Sequence, residues 1–275
     1  MKYVILNHKL IESGKAGISP ADRGFRFGDG IFETCLIANG VIYNWSAHFA
    51  RLEAGLKAIK IPFISRKLLT CCEELIKNNN VKNGILRIAI SRGVGSLGYL
   101  PKQNIKPTLL IETLKKPPKT KSLIKLMISS YQKPSLNSLP VNYKLANGLN
   151  STLTRIEAVE KGFFDGITLN DKNQVCETSS ANIFWVKDDV VFTPHLDCGC
   201  LNGTIRSKII ESPMIEVRLV KAVFEDLLDA DEVFLTNVAL PILNVDAIEQ
   251  VKFTDKKYGK IFADLLKKEI KRICQ

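Results

Sequence analysis

The chain has 275 residues, 45% of them apolar, with 39 basic and 28 acidic side chains for a formal charge of +11. That composition supports one large domain or two smaller ones; no run of about 18 apolar residues exists, so no membrane span is expected, and the short apolar run near the start lacks the features of a secretory signal. The basic residues are scattered, dense only in KKPPKTK (115–121) and KKEIKR (267–272) and nowhere interleaved with aromatics, which reads as a lysine-rich surface that favours small anionic ligands over nucleic acid.

The seven cysteines show no paired framework, so a cytoplasmic protein is expected. CGC at 198–200 lacks a second cluster to complete four metal ligands, so no metal is expected. In chain order, YVILN and IFETCLI (31–37) read as strands, and GVIYN (40–44) follows across an Asn39-Gly40 turn. Phe49, Leu52, Leu56 and Ile59 recur at helical spacing over 46–59, with Ser46 as N-cap. A second helix covers 66–80. Strands are predicted at 84–93, 107–114 and 122–130. The segment 131–143, with two prolines and no period, divides the chain, giving an N-terminal α+β domain at 1–130, a linker, and a C-terminal domain at 144–275. In the second half Leu149, Leu153, Ile156 and Val159 form the apolar stripe of a helix capped by Asn147 and closed by Lys161-Gly162. DGITLN, QVCETS, ANIFWV and VVFTP follow as an antiparallel meander, with turns at Asp171–Asn173 and Lys187–Asp189. Short helices at 203–210 and 223–230 alternate with strands at IEVRLV and EVFLTNV, and an amphipathic helix closes the chain. Strands and helices mix without a regular alternation, so the fold class is α+β in two domains.

Lys144 stands just before the helix that follows the linker. The positive end of a helix disfavours a further cation and lowers an amine's pKa, as a nucleophilic amine requires. Asn202-Gly203-Thr204 opens a short helix, where backbone amides, a small residue and a hydroxyl suit a phosphate. Thr236 and Asn237 end a buried strand and can complete an anion cup. Glu177, a carboxylate between two strands, is suited to a basic ring nitrogen. Arg51, on a helix beside His48, either reaches a phosphate or pairs with Glu53 or Glu74.

Taken in order, an arginine, a lysine before a helix, a glutamate in a hairpin and a Gly-Thr turn resemble the class IV aminotransferases, the fold type IV pyridoxal phosphate enzymes. The likeness runs from SPADRGFRFGDGIFET (19–34) to DADEVFLTNVALPI (229–242). It implies the two-domain fold of that family: a small N-terminal α/β domain and a larger C-terminal domain built on an antiparallel sheet or barrel. It also implies pyridoxal 5′-phosphate as cofactor, a Schiff base on Lys144, Glu177 at the pyridine nitrogen, and Arg51, Asn182, Gly203, Thr204, Ile205, Thr236 and Asn237 around the cofactor and its phosphate. Homodimers are the usual assembly. Within the family, DRGFRFGDGIFET, ISRGVGSLGY (90–99) and the strand and loop at 230–245 are similar to the 4-amino-4-deoxychorismate lyases. These release pyruvate and 4-aminobenzoate for folate synthesis. An aminotransferase of D-amino or branched-chain amino acids is the alternative. The arginine and histidine that a D-amino acid aminotransferase places in the loop after Arg92-Gly93 are replaced here by Gly95-Ser96-Leu97-Gly98-Tyr99, and Ala146 stands where the lyases carry leucine. For a dianionic substrate Arg92, Arg26 and Lys82 are the candidate cations.

Overall fold

The computed structural model describes residues 1–63, 66–118 and 123–274, arranged as two compact units. The first unit joins Met1–Pro117, Tyr143–Asn147 and Ile270–Gln275; the second joins Pro118–Asn142 and Gly148–Glu269.

In the first unit, β1 (Tyr3–Leu6) and β2 (Lys9–Glu12) form a hairpin. A one-turn helix α1 (Arg23–Phe27) leads into β3 (Gly30–Ala38), β4 (Val41–Ile42), α2 (Trp45–Ala58), α3 (Leu68–Asn78), β5 (Gly84–Ser91) and β6 (Thr108–Leu114). The six strands make one sheet in the order β2-β1-β6-β5-β3-β4, with every pairing antiparallel. The β3–β4 turn is at Asn39-Gly40, as predicted, with φ of 50° and 82°, a left-handed pair that matches the twist of a hairpin. Alternate residues of β3 and β5 (Ile31, Cys35, Ile37, Leu86, Ile88, Ile90) pack with Leu52 and Leu56 of α2 and Leu68, Cys72 and Leu75 of α3 in a continuous core. The cap of α2 is Asn44 in the left-handed conformation rather than Ser46. The motif at 19–34 proves architectural in large part. Asp22 caps α1 through Gly24 N–H at 2.7 Å and accepts from Thr108, and Asp29 clasps Arg23 and Arg92.

In the second unit, β7 (Lys125–Ile128) is followed by α4 (Leu149–Glu160), β8 (Asp165–Leu169), β9 (Val175–Thr178), β10 (Asn182–Lys187), β11 (Val190–Pro194), α5 (Thr204–Ile210), β12 (Val217–Val220), α6 (Phe224–Leu228), β13 (Glu232–Thr236), β14 (Leu243–Asn244), β15 (Ala247–Ile248) and β16 (Val251–Lys252). The closing helix α7 (Lys257–Ile273) crosses the boundary of the two units near its end. Two five-stranded sheets result, β12-β11-β10-β13-β14 and β16-β15-β7-β8-β9. Ile167, Val175, Ile183, Trp185, Val233, Leu235 and Ile248 form their shared core.

Three expectations need correction. The strand predicted at 122–130, whose first residue lies outside the described ones, is not part of the first unit: β7 pairs in parallel with β8 and β15. Periodicity identifies a strand but not the sheet it joins. The predicted meander is divided, because β8–β9 and β10–β11 are hairpins of different sheets. Between β9 and β10 the chain turns tightly, with Thr178 N–H donating to the Ala181 carbonyl at 2.9 Å. Finally, α4 buries Thr154 and Ala158, and leaves Leu149, Ile156 and Val159 exposed. Gly166 of β8 permits that approach, since a Cβ there would lie 2.8 Å from Thr154 Cγ2. Gly148, without a side-chain cap, precedes α4 in place of Asn147.

Candidate functional site

Lys144 lies in a segment that runs beside β3. Phe32 N–H donates to the Lys144 carbonyl and Ala146 N–H to the Gly30 carbonyl, each at 2.9 Å, with Ile31 and Leu145 bridged antiparallel between them. One edge of β3 is taken by β5 from Gly30 to Ile37, so this segment occupies the other edge, ahead of β4. The Lys144 Nζ rests 4.4 Å from the centre of the Phe32 ring. The guanidinium of Arg87, on β5, rests 4.3 Å from the same ring. Two cations converge on one aromatic face system, an arrangement worth roughly 0.5–2 kcal/mol per contact.

Close by on β3, Glu33 is fully buried and accepts hydrogen bonds from Arg51 Nε at 2.7 Å, from Arg51 Nη2 at 2.8 Å, from His48 Nδ1 at 2.8 Å and from Thr34 N–H at 3.3 Å. Burial raises its pKa, but the bonds from Arg51 and then His48 outweigh that and hold it at about 2. Arg51 therefore pairs with Glu33. Glu33, Cys35 and His48 bring ligand atoms within 4.8 Å of one another, but the Arg51 guanidinium already neutralises the one carboxylate.

Of the predicted substrate cations, Arg92 and Arg26 make side-chain hydrogen bonds within the first unit. Arg92 gives Nε and Nη2 to Asp29 at 2.7 and 2.9 Å, and Nη1 and Nη2 to the carbonyls of Lys60 and Ile59 at 2.8 Å each. It fastens the end of β5 to the end of α2. Arg26 is exposed and donates to the carbonyls of Pro20 and Gly95. Lys82 is exposed, its carbonyl accepting from Gly40. Among the described residues Arg87 makes no ion pair, and the sequence signal that would have found it is one charge inside the apolar run GILRIAIS. Glu33 stands out in the same way in GIFETCLIA.

In the second unit Glu177, on β9, is almost wholly buried. Its Oε2 accepts Asn182 Nδ2 at 3.2 Å and Leu201 N–H at 3.0 Å, and its Oε1 pairs with Lys133. Asn182 opens β10 opposite Thr236 of β13, and its amide also donates to the Leu201 carbonyl at 2.8 Å. Gly203 directly precedes α5, and a Cβ there would come within 2.0 Å of Asn182 Oδ1, so any larger residue would displace that side chain. Thr204 and Ile205 are the first residues of α5, whose amides have no acceptor within the helix. Thr236 is 2% exposed, and its Oγ1 is buried without a hydrogen-bond partner among the described residues. A native hydroxyl orphaned in this way costs stability unless something else bonds it. Asn237 turns the chain beyond β13, its side chain accepting from Leu240 N–H at 2.7 Å. The predicted set Glu177, Asn182, Gly203, Thr204, Ile205 and Thr236 is thus contiguous, and Lys133, read from sequence as linker, joins it.

The sequence pattern of the amino-transferase class IV family matches residues 30–248. The aminodeoxychorismate lyase of Bacillus subtilis strain 168 is 31% identical over 98% of this chain and 95% of its own. The D-alanine aminotransferase of Listeria innocua is 28% identical over 98% of this chain and 97% of its own. The structure of the branched-chain amino acid aminotransferase of Escherichia coli superposes with a TM-score of 0.90 at 25% identity, covering 96% of this chain and 92% of that one. The chain therefore belongs to the amino-transferase class IV family, and its cofactor is pyridoxal 5′-phosphate.

Proposed function

We propose that the protein is a 4-amino-4-deoxychorismate lyase, which releases pyruvate and 4-aminobenzoate. The observation that carries this reading is Arg87: a guanidinium without an ion-pair partner among the described residues, on the same ring as the Lys144 amine. A substrate with two carboxylates needs such a cation, and Arg23, Arg51 and Arg92 are already paired. The loop 93–99 supports it by composition, since it offers no cation to hold the α-carboxylate of an amino acid.

The residues fit the cofactor. The buried Thr236 hydroxyl, the close approach at Gly203 and the first amides of α5 suit its phosphate, and the Glu177 carboxyl suits its ring nitrogen. Arg51 remains the phosphate cation of the family likeness, held in orientation by Glu33. Bound pyridoxal phosphate supplies an electron sink. Lys144 would hold that group, and its amine would take the proton from C4 of the substrate ring. The same amine then protonates the departing enolpyruvyl oxygen. The product ring is aromatic, which makes the step irreversible.

A second reading, aminotransferase, is favoured by the likeness to the D-alanine and branched-chain enzymes. The same lysine would then move a proton between two carbons. Product analysis decides. With aminodeoxychorismate, made in place from chorismate and glutamine by its synthase, 4-aminobenzoate and pyruvate are expected, and Lys144→Ala stops their release. If neither product forms and an amino group passes instead to pyruvate or 2-oxoglutarate, the aminotransferase reading replaces the first. We also propose a homodimer, supported by the exposed Leu149, Ile156 and Val159 of α4, and by Phe25, Leu97, Tyr99 and Leu100. Light scattering giving the mass of a single chain would rule it out.

A further inference from the structure

We propose that Arg206 is a positioning residue for the cofactor's phosphate: a buried guanidinium behind the turn at 203–205, whose charge is balanced by the phosphate and not by a protein carboxylate. The proposal rests on the reading of Gly203, Thr204, Ile205 and Thr236 given above. Arg206 lies on α5, two residues beyond Thr204, and is 2% exposed. Its Cβ is 3.4 Å from where a Cβ at Gly203 would stand, and Gly203 meets Asn182, which pairs with Thr236. Among the described residues the guanidinium makes one hydrogen bond, from Nη2 to the Pro194 carbonyl at 2.8 Å, and no ion pair. Its Nε is buried without a partner among them. Thr236 Oγ1 is a second such atom in the same contiguous set.

Packing alone does not account for this side chain. A buried charge with a single neutral acceptor costs stability, and an apolar side chain of similar volume would cost less. The Pro194 carbonyl does not depend on Arg206, since the Cys200 thiol also donates to it, at 3.7 Å. Burial pulls the Arg206 pKa down, yet a guanidinium is not deprotonated in a protein, so the charge persists and calls for an anion. The Glu177 carboxyl is bonded to Lys133, Asn182 and the Leu201 amide, and not to Arg206. A phosphate ester carries close to two negative charges at neutral pH, whereas Arg51 already shares its charge with Glu33. A second cation behind the turn supplies the balance.

The test compares cofactor-free full chains by thermal melts and by calorimetry with pyridoxamine 5′-phosphate. This probe is an amine and does not condense with Lys144. Arg206→Met is expected to bind it about tenfold or more weakly than wild type does, the scale of one interaction with a charged group. The same variant, without cofactor, is expected to melt at or above the wild-type temperature, because a buried charge lacking a counter-charge is gone. Arg206→Lys should recover most of the affinity. If Arg206→Met binds the probe as wild type does, or if it melts lower and Arg206→Lys binds no better, Arg206 is only a strut between α5 and β11 and the proposal is overturned. Thr236→Val separates this failure from that of the phosphate reading. If it weakens binding while Arg206→Met does not, the phosphate reading stands without Arg206; if it leaves the affinity unaltered, the phosphate reading itself fails. Should Arg206→Met not fold, Arg206→Gln takes its place with the same expected loss of affinity, and wild-type affinity in that variant overturns the proposal.

Discussion

Replacing Glu33 by glutamine tests the electrostatics of the first unit directly. Glu33 is completely buried and pairs with the Arg51 guanidinium through both carboxylate oxygens. Its pKa of about 2, against an ordinary 4.5, corresponds to about 3 kcal/mol of stability at neutral pH. The folded value lies below the unfolded one, so this contribution is complete above about pH 5 and is lost as the pH falls toward 2. Glutamine keeps the shape but removes the Glu33 charge from the buried Arg51–Glu33 pair, which costs roughly 3–5 kcal/mol. Urea unfolding at neutral pH, followed by the fluorescence of Trp45 in a Trp185→Phe background, reports on the right element. Trp45 opens α2, which bears His48 and Arg51, and stacks on Phe49 at 5.7 Å. With a slope of about 1–3 kcal/mol per molar, the midpoint should fall by at least about 1 M. Between pH 5 and pH 2 wild type should lose about 3 kcal/mol that the variant does not, so the two converge in acid. Equal midpoints at neutral pH, or parallel acid losses, would refute the reasoning.

Thr236→Val should leave the cofactor-free protein unchanged or more stable by about 1 kcal/mol, because it removes an unpaired buried hydroxyl, while weakening cofactor affinity; paired thermal melts and a cofactor titration check both signs, and unaltered affinity would sink its phosphate role. Arg87→Met should raise KM for the dianionic substrate and lower kcat/KM by roughly 10–100-fold, the worth of a charged hydrogen bond; steady-state kinetics showing KM unchanged would remove Arg87 from the site. Gly203→Ala should displace Asn182 and reduce cofactor affinity about tenfold or more, since the added Cβ has 2.0 Å where it needs over 3; a titration matching wild type would contradict the close approach.

Much of this protein was legible in its sequence because the relevant signals are local. The strand runs IFETCLI and GILRIAIS, helical spacing at 46–59 and the Asn39-Gly40 turn each depend on neighbours a few residues apart, and each has its predicted form. The ordered constellation of Arg51, Lys144, Glu177 and Gly203-Thr204 carried the family, and the match over residues 30–248 agrees with it. Only the tertiary structure decided which partner each charge takes. Arg51 meets Glu33 across 18 positions, Arg92 meets Asp29 across 63, and Lys133 meets Glu177 across 44. It also decided that β7 joins the second unit, and that α4 turns threonine and alanine inward and leaves its apolar stripe exposed. The physical reason is common to all of these: hydrophobic period and turn chemistry act along the chain, whereas a buried charge is satisfied by whatever the fold brings beside it, and sequence separation places no limit on that partner.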